Sequence, residues 1–138
     1  MFQLHPQLAK DSRDLGSLGL CRLLLMDDAQ YPWFILVPQR DGIREVHELD
    51  EHDRSALWDE SALLARAMVQ AFAPDKLNIA ALGNVVPQLH VHHIARYTHD
   101  PAWPAPVWGK LPPRPYYGAE AEKLAARMRA LLGTKLSG

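Results

Sequence analysis

The spacing of apolar and polar residues along the chain predicts four strands. Near-continuous apolar runs at 20–26 and 33–38 are typical of strands that are buried on both faces. Turn-forming residues at 27–32 separate these runs, so we expect the two strands to pair as a hairpin. Further strands are predicted at 77–82 and 88–96, and the short loop between them contains Gly, Asn and Pro. These two strands are therefore expected to be antiparallel neighbours.

Apolar residues at helical spacing indicate two longer helices. The first is predicted between Asp50, a residue type that favours the N-cap, and Pro74, which ends it. Its apolar face consists of Leu57, Leu64, Met68 and Phe72. A last helix is predicted at 119–132, and residues 3–18 are expected to form one short helix followed by a turn. Residues 45–48 are expected to be a short edge strand or an extended segment.

Six prolines interrupt the segment at 99–117 and exclude a central strand or helix there. We expect this segment to run extended over the surface, with Trp103 and Trp108 anchored on apolar groups. The order strand, strand, helix, strand, strand, helix indicates an α+β fold with a mainly antiparallel sheet. A length of 138 residues suits one domain that spans the whole chain.

Charge, cysteine content and the length of the apolar runs limit the kinds of partner and the compartment that we expect. The formal net charge is −1, so the composition shows no excess of positive charge for binding long nucleic acid. A few local hydrogen-bond donors are still sufficient to bind a nucleotide. The single Cys21 excludes an internal disulfide and fits a reducing compartment. No apolar run approaches the roughly 20 residues that cross a bilayer, and the N-terminal residues lack the features of a signal peptide. We therefore expect a cytoplasmic protein with no membrane partner.

The candidate chemistry lies in the last predicted strand, which reads Gln88-Leu89-His90-Val91-His92-His93. Alternation along a strand places Gln88, His90 and His92 on one face and His93 on the other. The two imidazoles on the first face are then about 6–7 Å apart at the backbone, a spacing that suits two groups acting on one ligand. The preceding loop carries Asn84, and its backbone N–H groups are candidates for binding an anion.

This arrangement resembles the histidine-triad (HIT) superfamily, whose signature is three histidines that alternate with apolar residues. Gln88 takes the first histidine place, His90 the second and His92 the third, while His93 stands where an apolar residue is usual. The resemblance covers about residues 20–100. It implies a HIT-like fold and a homodimer whose protomers join into a larger sheet. Among the members of the superfamily, the chain is similar to bacterial proteins that have Gln at the first place.

The resemblance also implies roles outside the histidine strand. An Asp or Asn near the place of Asp27 binds the ribose hydroxyls in the family, and Asp28 is the alternative because the loop register is open. Trp33 stands where many relatives have a further histidine, which suggests altered leaving-group chemistry. Arg96 and Asp100 fall where the branch that hydrolyses diadenosine polyphosphates has Arg and Asp; from its position alone, Arg96 is expected to be a solvated strand-end charge.

By the same resemblance, His90 is the nucleophile of a nucleotide hydrolase or nucleotidyl transferase. It attacks the α-phosphorus of a dinucleoside polyphosphate, a nucleoside phosphoramidate or a related conjugate, and a nucleotidyl-histidine intermediate forms. His92, Gln88, Asn84 and loop N–H groups are expected to stabilise the phosphate oxygens. No metal or cofactor is required at the nucleophile. The proton donor to the leaving group is unassigned, because Gln88 replaces the usual first histidine.

Two other functions are compatible with the same residues. A nucleotide-binding module without turnover needs the same site and no chemical step. A metal-binding protein would use His90 and His92, completed by His93, His99 or Asp100, although adjacent strand residues face opposite sides. Single residues also have a purely structural interpretation. Gln88 and Asn84 could hydrogen-bond only to nearby backbone groups, Asp27 and Asp28 could be hairpin-loop residues, and His93 could be a hydrogen-bonded histidine on the core side of the strand.

Overall fold

A five-stranded antiparallel sheet forms the centre of the structure, a computed structural model that describes residues 1–138. The strands are Ser12–Ser17 (β1), Cys21–Met26 (β2), Trp33–Pro38 (β3), Lys76–Ala80 (β4) and Val91–Arg96 (β5). The helices are Pro6–Asp11 (α1), Glu51–Phe72 (α2) and Glu120–Leu132 (α3), and short 3₁₀ helices occupy Val46–Glu48 and Gly133–Lys135. The spatial order of the strands is β1-β2-β3-β5-β4, which confirms the predicted α+β architecture.

Both predicted strand pairs are confirmed, and one further pairing joins them. β2 pairs with β3, and β4 pairs with β5, in each case antiparallel. β3 also pairs with β5, which places Ile35 opposite His92 and Phe34 opposite His93. The two halves of the chain therefore form one sheet, and β5, which carries His92 and His93 and directly follows His90, lies in its interior.

The predicted turn after the first helix is wrong, because residues 12–17 form the edge strand β1. This strand pairs with β2 along its length, with an irregularity between Asp14 and Gly16. It buries only Leu15 and Gly16, while Arg13 and Asp14 are exposed. This segment has little apolar pattern of its own, and it becomes a strand because it pairs with β2. Local periodicity does not reveal such a pairing.

Three predicted boundaries also differ from the structure. β5 begins at Val91 rather than Gln88, because the N–H of Leu89 donates to the carbonyl of Ile43, outside the sheet (3.0 Å). β4 ends at Ala80 rather than at residue 82. The expected strand or extended segment at 45–48 contains a 3₁₀ helix instead, closed by reciprocal hydrogen bonds at its ends.

Two apolar cores lie on opposite faces of the sheet. The larger core packs α2 and α3 against one face and includes Leu64, Met128 and Phe34. The smaller core, which includes Ile35 and Trp33, lies under α1 and the proline-rich segment. Because side chains alternate along β3, this strand contributes to both cores and is buried throughout, as predicted.

Both longer helices are confirmed close to their predicted bounds. The carboxylate of Asp50 accepts the N–H of Asp53 (2.8 Å) and caps α2, which ends at Phe72, two residues before Pro74. α3 begins one residue after the predicted start. None of the helices combines the length and the apolar character that crossing a membrane requires.

Arg96 is not a solvated charge, which corrects the expectation from its position. Its side chain is 1% exposed and donates two hydrogen bonds to Asp100 (2.8 and 3.0 Å), one to Asn78 (2.7 Å) and one to the carbonyl of Ala105 (2.8 Å). A buried guanidinium needs such complete pairing. These bonds fold the proline-rich segment back over the sheet, where Trp108 packs against the smaller core.

Candidate active site

A cavity of about 290 Å³ opens beside the smaller core, on one face of the sheet. Its apolar wall includes Leu8, Met26, Ile35, Val86 and Trp108. Its polar groups are His90, His92, Asn84, Gln7, Asp11 and Ser12. The structure therefore brings the predicted histidine pair and Asn84 together around a space that has an apolar side and a polar side.

The His90 ring is oriented by the backbone two residues before it. Its Nδ1 lies 2.7 Å from the carbonyl oxygen of Gln88. Because a carbonyl oxygen only accepts, Nδ1 carries the proton and Nε2 keeps a free lone pair. Burial lowers the pKa of His90, so the neutral form is present at pH 7.

The His92 ring lies beside His90, with 4.9 Å between the ring centroids. The indole Nε1 of Trp33 donates a hydrogen bond to its Nδ1 (3.0 Å), and the ring of Trp108 lies 5.0 Å away, edge to face. Burial, together with smaller contributions from the neighbouring His90 and His93, lowers the pKa of His92 to about 3. His92 is therefore a neutral imidazole in a wall of aromatic rings.

The loop before the histidines forms one rim of the cavity. Gly83 has a φ of 78°, a left-handed conformation that favours glycine. Asn84 lines the cavity, and its carboxamide forms no hydrogen bond within the chain. A ligand that enters the cavity therefore meets an amide group that has free donors and a free acceptor.

The Gln88 side chain holds the N-terminal segment. Its Oε1 accepts the N–H of His5 (2.8 Å), and its Nε2 donates to the carbonyl of Gln3 (2.9 Å). Gln88 is not among the residues that line the main cavity. One N–H of Nε2 is free in this arrangement, and the role of the carboxamide in phosphate binding stays a prediction.

The two candidate ribose ligands lie outside the main cavity. Asp27 accepts the N–H of Tyr116 (3.0 Å) and lines a smaller neighbouring cavity with Pro113 and Pro115. Asp28 is buried and accepts the backbone N–H of Gln30 (3.0 Å). The proline-rich segment therefore binds against this hairpin loop and engages the carboxylate of Asp27.

Asp11 is a candidate that the sequence analysis missed. It ends α1, lines both the main and the smaller cavity, and is the only carboxylate in the wall of the main cavity. One of its oxygens accepts Gln7 Nε2 (2.8 Å). No local pattern marks this residue, because α1 contacts the site only through the tertiary structure. Ile35, which also lines the cavity, could have been found from the sequence. Side chains alternate along β3, and Ile35 lies opposite His92 in the neighbouring strand.

His93 lies on the opposite face from the pair, within the larger core. Its Nε2 is 2.7 Å from Ser61 Oγ, its Nδ1 is 3.1 Å from the carbonyl of Val91, and burial lowers its pKa to about 4. The group of potential metal ligands whose donor atoms lie within reach of one ion is Asp50, His52 and Asp53, at the start of α2. The histidine pair is not part of it.

Comparisons with known proteins identify the family of the chain. The HIT domain family model matches residues 7–99. A histidine triad protein from Marinobacter aquaeolei VT8 has 51% identity and a TM-score of 0.94, with 99% of both chains covered. The chain is also similar to a histidine triad protein from Sinorhizobium meliloti, with 46% identity, a TM-score of 0.93 and coverage of 96% of this chain and 98% of that chain. A histidine triad protein from Bradyrhizobium japonicum has 45% identity and a TM-score of 0.92, with 94% of this chain and 96% of that chain covered. No curated protein matches the chain. A match over this much of the chain, together with the paired histidines on the sheet, shows that the protein belongs to the histidine-triad family.

Proposed function

We propose that the protein is a nucleotide hydrolase or nucleotidyl transferase in which His90 is the nucleophile. The observation that carries this proposal is the 2.7 Å hydrogen bond between His90 Nδ1 and the Gln88 carbonyl. It keeps the proton on Nδ1 and leaves Nε2 as the nucleophilic nitrogen, in a buried side chain that lines the cavity.

The reaction proceeds in two displacements at the α-phosphorus. The Nε2 lone pair of His90 forms a bond to phosphorus while the bond to the leaving group breaks, which gives a nucleotidyl-histidine. A water oxygen then attacks the same phosphorus and the P–N bond breaks. His90 recovers its lone pair, the water proton leaves to solvent, and a nucleoside monophosphate is released. An alcohol or phosphate acceptor in place of water gives a transferase.

The walls of the cavity fit the parts of such a substrate. His92, Asn84 and loop N–H groups supply hydrogen bonds to the α-phosphate oxygens. Gln88 acts through its backbone carbonyl, while its side chain holds the N-terminal segment. The apolar wall receives the nucleoside. Asp27, the ribose ligand implied by the resemblance, lines the neighbouring smaller cavity, whereas Asp11 lines both cavities.

One observation favours a nucleotide-binding module as the second candidate. The first triad place is a glutamine whose carboxamide is bonded to Gln3 and His5, and a carboxamide does not donate a proton to a leaving group. Binding without turnover uses the same cavity and the same phosphate donors. The two candidates differ only in whether a covalent intermediate forms.

The test is hydrolysis by the purified protein with EDTA present, using diadenosine polyphosphates and an adenosine phosphoramidate. His90→Asn is the test variant, and His47→Asn, at an exposed histidine away from the cavity, is the matched control. We expect turnover and a mass-detected nucleotidyl adduct in the wild type and the control, and neither in His90→Asn. Equal rates in all three proteins would remove His90 as the nucleophile. Saturable adenosine monophosphate binding without turnover or adduct would establish the binding module.

A further inference from the structure

The hydrogen bond between Trp33 and His92 determines where the His92 proton lies. The indole Nε1 is 3.0 Å from His92 Nδ1, and the two residues are 5% and 6% exposed. An indole nitrogen only donates, so Nδ1 must accept through its lone pair. A neutral imidazole has one N–H, and here it must be on Nε2.

We propose that Trp33 is a positioning residue that holds His92 in the Nε2–H tautomer, so that His92 is a fixed hydrogen-bond donor in the cavity. The phosphate contact of this donor rests on the proposed function; the tautomer itself does not. His90 is held in the opposite state by the Gln88 carbonyl. The two rings, 4.9 Å apart, therefore present a lone pair and an N–H respectively.

The aromatic surroundings also hold the ring in place. Trp33 and Trp108 contact His92 edge to face, at 5.6 and 5.0 Å between centroids, and contact each other at 5.9 Å. A flip of the His92 ring would turn a C–H toward the indole nitrogen and leave a buried N–H without an acceptor. The orientation of the ring and its tautomer are therefore set by the same contact.

The contact also disfavours the charged form of His92. A proton on Nδ1 would remove the acceptor of the indole, and burial opposes the charge as well. The titratable groups that influence the pKa of His92 are His90 at its side and His93 on the other face of the strand, and both lower it. Neither is a carboxylate that would stabilise an imidazolium. His92 therefore donates to a phosphate oxygen as a neutral group and does not pass a proton to the leaving group.

The tautomer is measurable in the free protein, without any substrate. Protein labelled with ¹⁵N at histidine and tryptophan is studied by long-range ¹H–¹⁵N correlation at pH 7.5. We expect an unprotonated Nδ1 and a protonated Nε2 for His92, and the reverse for His90. A coupling across the hydrogen bond between Trp33 Nε1 and His92 Nδ1 is expected in the wild type. A wild-type spectrum with His92 protonated on Nδ1, or on both nitrogens, overturns the proposal.

Two variants assign the effect to the hydrogen bond. Trp33→Phe keeps an aromatic ring but removes the donor, and we expect the His92 nitrogens to shift toward a mixture of tautomers. Trp108→Phe is the matched control, because Trp108 contacts His92 without a hydrogen bond, and the tautomer is expected to stay. The nitrogens of His93, on the other face, report whether each variant is folded.

An unchanged His92 tautomer in folded Trp33→Phe would refute the role of Trp33. If that variant does not fold, the coupling in the wild type decides the question. If the protein turns nucleotides over, Trp33→Phe is expected to lower kcat about tenfold with little change in KM, since a donor to the transition state loses its orientation. Absence of turnover would count against the proposed function and leave the tautomer result standing.

Discussion

His93 makes the stability of the protein sensitive to acid, and this prediction can be worked out from its contacts. The imidazole is fully buried, accepts from Ser61 Oγ at Nε2 (2.7 Å) and donates to the Val91 carbonyl from Nδ1 (3.1 Å). Both nitrogens are thus satisfied in the neutral form. A second proton would place a charge in the larger core, and this burial lowers the pKa of His93 to about 4.

The sign and the size of the effect follow from the two protonation states. The pKa in the unfolded chain is 6.5, above the value of about 4 in the folded protein, so the unfolded chain binds more protons between these values. Stability is therefore complete above pH 6.5 and is lost as the pH falls toward 4. Each pH unit in this window costs about 1.4 kcal/mol. At pH 5 the loss from His93 is about 2 kcal/mol, and His92 adds a similar loss.

Urea unfolding at pH 7.5, 6 and 5 measures this effect in the wild type and in His93→Leu. We expect the variant to lose about 2 kcal/mol less than the wild type between pH 7.5 and 5, whatever its stability at pH 7.5. The Ser61 hydroxyl remains satisfied in the variant, because it can bond to a carbonyl of its own helix. His47→Leu, at an exposed site, is the control and should keep the wild-type pH dependence. Parallel pH dependences in His93→Leu and the wild type would refute the reasoning.

Two further predictions concern the ligand and the oligomer. Asp11→Asn is expected to weaken binding of adenosine monophosphate about tenfold by calorimetry, through loss of a charge-assisted hydrogen bond. Asp27→Asn is expected to change the affinity little, and the reverse ranking would support Asp27 as the ribose ligand. The homodimer is expected to form through the edge of β4, where Ile79 is 43% exposed and no strand pairs on the outer side. Light scattering should then show twice the chain mass for the wild type and less for Ile79→Lys, and a monomeric wild type would contradict this.

Local pattern was sufficient for four of the five strands and for the two longer helices, and it pointed to the main chemical candidates. The apolar runs of β2 and β3, the N-cap Asp50 and the spacing of His90 and His92 are properties of neighbouring residues, and period and composition express them directly. The HIT resemblance rests on the same short motif. The family and the α+β fold could therefore be predicted from the sequence.

The tertiary structure decided how distant segments complete the site. Trp33 and His92 are 59 residues apart, and Gln88 bonds to His5 across 83 residues. Asp11 enters the cavity wall only because α1 packs beside it. Such contacts form because buried polar groups need hydrogen-bond partners and apolar faces must be shielded from water. The residues next to these groups along the chain do not show which distant segment will provide the contact. The sequence therefore determined which groups are available for chemistry, and packing determined their partners, their protonation and their orientation.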